Sequence, residues 1–225
     1  VLITGLAPEE VERLGQAYLT ALADDLSADP DRFGLRHSLE RAGHALVDLL
    51  EAINRHGPAF MAPLVGDTAE ERRDAFVAHF TNHVTDSVGL TVDAVVRQVA
   101  ADTAQTLLDQ SPRLRSAVES GVNSGAVIDN DVFCAIYNFF FADAVTTFLR
   151  SVIAAKITLL VPVLPAVDPA GHIAGWIADK LTAVVPTPCQ RQGTTTNGSS
   201  LADLGRSMVK EAVERVLGLP AGGQS

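Results

Sequence analysis

The sequence predicts an all-α fold: a single bundle of about seven or eight helices around a central apolar one. Three observations predict it. Nearly every apolar run recurs at three- and four-residue intervals, the spacing of one helix face. No convincing strand alternation or hairpin signal interrupts that pattern. Charge is also divided unevenly, with nineteen acidic and ten basic side chains in residues 1–120 but five and four in residues 121–200. A conventional amphipathic half is therefore followed by a stretch that must be hidden from water.

The elements follow in order. Pro8-Glu9-Glu10 suits a first turn, because proline lacks only a donor that would be unpaired there and the acids complement the helix dipole. Val11, Leu14, Tyr18, Leu22 and Leu26 then share a face, and Asp24 to Asp31 form a polar break. Leu35, Leu39, Ala42, Leu46, Leu49 and Ile53 step by fours and threes, a heptad-like seam suited to antiparallel packing and closed by Gly57-Pro58. Thr68-Ala-Glu-Glu71 reads as a capping box, opening a helix with Phe76, Phe80, Val84 and Val88 on one side. Gly89 breaks or bends it, and Val92, Val95, Val96, Val99, Thr103 and Leu107 continue to Ser111-Pro112. A short helix follows to Ser120. Asp129 or Asp131 caps the apolar helix, which runs to about Thr158 and stops at Pro162 and Pro165. Asp168-Pro169 restarts a helix with Ile173, Trp176, Ile177, Leu181 and Val184 inward. The expected organisation is a bundle over 1–188, a flexible Gly/Thr/Ser-rich linker over 189–199 and an amphipathic helix over 200–218, docked on the bundle.

Composition narrows function. The chain has 225 residues, 47% of them hydrophobic and 20% charged, with a formal charge of −10 and a pI near 4.9. That is globular composition. Its acidity argues against binding nucleic acid, which needs a basic patch, and against simple electrostatic attachment to anionic lipid. No signal-peptide pattern precedes the first helix. Cys134 and Cys189 are too few and too far apart for a disulfide framework or a zinc motif, so Cys134 is read as an inert core thiol, Cys189 as a loop thiol, and the compartment as a reducing cytoplasm.

The apolar segment from Val132 to Leu164 is the main functional clue. Asp143, Arg150 and Lys156 interrupt it too often for a permanent membrane span. Asp143, Thr146, Thr147 and Arg150 line one stripe, with Val132, Ile136 and Phe139 upstream on the same side. A helix apolar all round is usually the centre of a bundle. Beyond that role, the leading expectation is a non-catalytic interaction module, its contact surface drawing on Phe139, Phe140, Phe141, Phe148, Leu159–Leu164 and Trp176. The expected partner is another protein or a second copy of the chain. One alternative is a membrane-active effector that releases the hairpin 132–185 onto lipid when triggered, for example by acid. Another is an enzyme or carrier holding an apolar small molecule in a pocket, with Asp143 and Arg150 as its polar groups.

Candidate chemistry is sparse. His79 and His83, four apart on one helix, are the best metal-ligand pair. His83 could also serve a haem as axial ligand. A boundary histidine is more often a packed side chain, and His37, Glu40 and His44 point away from their helix's apolar face. No nucleophile elbow, phosphate-binding loop or dinucleotide fingerprint is present. Asn197-Gly-Ser199 is read as a turn. No cofactor is expected.

Overall fold

The computed structural model describes residues 7–29, 34–60, 62–85, 91–123, 125, 127–160, 169–192 and 200–219. These residues form helices and no strand, an all-α bundle. The order is α1 (Pro8–Ala28), α2 (Leu35–His56), α3 (Ala69–Val84), α4 (Thr91–Gln110), α5 (Pro112–Ser120), α6 (Asn130–Leu160), α7 (Pro169–Val184), α8 (Pro188–Gln192) and α9 (Leu201–Val216). Residues 189–192, read from the sequence as the start of a linker, belong to α8. The Gly89 break, the Pro162–Pro165 stop, Asp168 and the Asn197 turn lie outside the described residues.

Local signals account for the boundaries. At α3 the capping box is complete: the Glu71 amide donates to Thr68 Oγ1 at 3.1 Å, and the Thr68 amide to Glu71 Oε2 at 3.0 Å. Ser111 Oγ accepts from the Leu114 amide and Pro112 fills the first turn of α5. Asp129, not Asp131, caps α6, its carboxylate accepting from the Val132 amide at 2.9 Å. Ser200 does the same for α9 through the Asp203 amide.

Helix α6 is the centre. It packs against α2, α4, α7, α8 and α9, while α1 lies outermost, against α7. The α2 seam from Leu35 to Ile53 is buried throughout. Ile136, Tyr137, Phe140, Phe141, Ala144 and Val145 of α6 are each 0% exposed. Phe141 fills the junction of three helices: a Cβ on Gly43 of α2 would lie 2.6 Å from its ring and 3.0 Å from Val209 of α9. Arg206 of α9 closes the same side of α2, binding Asp48 at 2.5 Å and also Glu51. Those bonds hold the guanidinium well above its ordinary value.

Helix α1 attaches through a second close approach. A Cβ on Gly15 would meet the Trp176 ring at 2.3 Å, so the indole lies directly on the α1 backbone. Gly15→Val is expected to expel Trp176 and loosen α1 from α7. Trp176 is the only tryptophan, so its emission reports the change: a red shift in the variant supports this packing, and an unchanged spectrum contradicts it.

Two sequence expectations fail here. Val184 is 44% exposed, and Val185, 5% exposed, takes the inward place, because α7 ends at that point and the chain turns. The two cysteines are not free thiols. Cys134 and Cys189 form a disulfide, with Cα atoms 6.1 Å apart across 55 residues. Their distance in sequence misled, because the α6–α7 hairpin doubles the chain back and lays α8 beside the first turns of α6. Asn138 Nδ2 donates to Thr187 Oγ1 at 3.0 Å on the same flank.

Candidate functional site

The residues singled out on α6 divide between two environments. Phe140, Phe141 and Phe148 are core side chains, at most 6% exposed, and offer nothing to a surface. Edge contacts of Phe141 with Tyr137 at 4.9 Å and Phe140 at 5.3 Å show why: the aromatics pack on one another. Trp176 is also spoken for, between α1 and α7, with Lys180 Nζ over its ring at 5.3 Å. Leu159 to Leu164 lie outside the residues whose side chains are described.

Phe139, Asp143 and Arg150 behave differently. Along α6, Val132, Ala135, Phe139, Asp143 and Thr147 are half-buried and Arg150 is exposed. Their steps of three and four place them on one narrow face. The face is narrower than the sequence suggested. Ile136 is fully buried, and Thr146 turns inward, its hydroxyl donating to the Ala142 carbonyl at 2.8 Å. Over residues 132–150 the central helix is closed on most sides and partly open along one stripe, apolar at the Val132 end and charged at the Arg150 end.

Asp143 is the least satisfied group on that stripe. Its Oδ1 accepts a long bond of 3.5 Å from Thr147 Oγ1, and its enclosed Oδ2 has no partner. Burial pushes the carboxyl up to about 6, and repulsion from Asp102 on α4 adds to the shift, against weaker pulls from Arg150 and the Thr147 hydroxyl. Sequence reasoning missed Asp102 because only the α4–α6 packing brings the two acids together. Arg150 makes no ion pair among the described residues.

The sign of the effect is set by that upward shift. A carboxyl whose folded value exceeds its unfolded one favours the fold most when protonated, and the benefit is lost as pH rises through the folded value. Asp143 therefore weakens the bundle progressively from about pH 4 to pH 6. Asp203 and Glu71 are held below their ordinary range by hydrogen bonds at their helix N-termini, Asp203 first by the Ser200 hydroxyl and Glu71 first by the Thr68 amide, and they act oppositely. The difference between wild type and Asp143→Asn isolates the effect. With allowance for solvent on the open side, the variant is expected to be about 1–2 kcal/mol more stable at pH 7 and equal to wild type near pH 4. Equal stability at both values would contradict this assignment.

The remaining candidates do not converge. His79 is half-buried and His83 exposed, the latter edge-on to Phe60 at 6.4 Å, and His37 and His44 are exposed. No group of three metal-ligating side chains is present among the described residues. The described clefts lie away from Asp143 and Arg150. One of about 330 Å³ is walled by Asn54, Asn130, Phe133 and Leu201. Asn130–Ser151 is long and apolar enough to cross a membrane by length and composition, and 67% of it is buried in the bundle.

Fold and site together define a helical bundle whose central helix keeps one open, unevenly charged stripe. Comparison with known proteins returned no family model, no curated sequence and no solved structure that matches the chain.

Proposed function

We propose that the chain is a non-catalytic helical interaction module that binds through the open stripe of α6. One observation carries the reading. Over residues 132–150 the stripe leaves Phe139 and Asp143 half-buried and Arg150 exposed, and among the described residues Arg150 makes no ion pair. A half-buried aromatic and an exposed arginine on one face are residue types enriched at interfaces. The partner is a protein surface offering a cation to Asp143, a carboxylate to Arg150 and an apolar patch to Phe139 and Val132. Phe140, Phe141 and Phe148 support the face from behind. The disulfide favours an oxidising compartment over the cytoplasm expected from the sequence.

A photo-crosslinking amino acid at position 139 tests the reading in cells that produce the chain, with exposed Thr182 as the control position. A discrete protein adduct from 139 and none from 182 is the expected result. Adducts to lipid alone would transfer support to the membrane-active alternative. No adduct from 139 would end the reading.

A further inference from the structure

We infer that the partner is a second copy of this chain, docked antiparallel on α6 about a two-fold axis beside Thr147, so that Asp143 of each copy faces Arg150 of the other. This rests on the proposed interaction face and specifies what covers it. Asp143 and Arg150 are seven residues apart, two helical turns or about 10 Å, so they share a face but cannot pair within one helix. Each is therefore free to meet a counterpart on another molecule. Among the described residues Arg150 has no ion pair, and the cation's pull on Asp143 is smaller than the opposing push from Asp102.

The spacing is self-complementary in one orientation only. In an antiparallel pair centred between positions 146 and 147, residue 143 of one helix lies opposite 150 of the other, and the reverse contact repeats by symmetry. A parallel pair in register would set Asp143 against Asp143 and Arg150 against Arg150, which repels. The antiparallel arrangement also presents two carboxylates, Asp143 and the neighbouring Asp102, to each incoming guanidinium. An unrelated partner would have to supply both charges at the same spacing, and the chain already carries them.

The experiment is sedimentation velocity of the full, disulfide-bonded chain at neutral pH and low salt. Wild type is expected at twice the 23.7 kDa chain mass. Asp143→Arg and Arg150→Asp should each weaken association at least about tenfold, because like charges then meet across the axis, and combining them should restore the dimer. Circular dichroism guards against misfolding; should either reversal lose helix, Asp143→Asn and Arg150→Gln replace them, each expected to weaken association. A wild-type chain that stays monomeric at about 100 μM, well above the range of a specific dimer, overturns the inference. So does a dimer that the charge reversals leave unchanged. A monomer that still crosslinks another protein from position 139 overturns the self-association and leaves the interaction reading intact. A monomer with no adduct ends both.

Discussion

Phe141→Ala is expected to destabilise the bundle by about 3–5 kcal/mol, the upper range for truncating a core phenylalanine. The side chain is 0% exposed and sits where α2, α6 and α9 meet. Its neighbours cannot close the gap easily, since Tyr137 and Phe140 belong to the same helix turn and Val209 is held by the α2–α9 contact. Such a loss is a large fraction of the stability of any single domain. Gly43 supplies an internal check. Gly43→Ala alone should be destabilising, because its new methyl meets the Phe141 ring at 2.6 Å. In the Phe141→Ala background the same methyl enters the vacated space, so the two effects should be strongly non-additive. Urea titration of the four proteins measures this, and additive losses would contradict the junction.

Removing the disulfide is the second large effect. Cys134→Ala with Cys189→Ala opens a loop closed across 55 residues, and the expected loss is about 4 kcal/mol within a usual range of about 2–5. For a chain of this size that lowers the melting temperature by roughly 8–16 °C. The bond joins the start of α6 to the chain just beyond α7, so it clamps the hairpin at its base. The damage should therefore be local: helix content close to wild type, with faster proteolysis between residues 185 and 200 once α8 loses its covalent tie to α6. An unchanged melting temperature, or equal protease resistance, would contradict that role.

Local signals were the legible part of this fold. The α2 seam and the Thr68–Glu71 box are patterns within one turn or one face, and each appears in the structure where its spacing put it. The environment of Phe139–Phe141 was not legible at the level of single residues. A helix apolar on all sides has no periodicity to say which side faces out, and only packing separates half-buried Phe139 from buried Phe140 and Phe141. Thr146 shows the same limit: its position matched the polar stripe, but a hydroxyl can satisfy itself on the preceding turn and be buried. Asp102 and the Cys134–Cys189 bond are tertiary facts. Nothing in the spacing of Asp102 to Asp143, or of one cysteine to the other, encodes which helices will be neighbours. The open stripe was therefore half visible, with Asp143 and Arg150 found from their common face and the unpartnered Oδ2 of Asp143 seen only in the fold.

The measurement that bears most directly on the central claim is a crosslinking scan with single probes at Val132, Phe139 and Arg150 and at the exposed controls Arg113 and Thr182. Discrete protein adducts are expected from the three α6 positions and none from the controls. Adducts distributed equally over all five positions, or absent from α6, would contradict that claim.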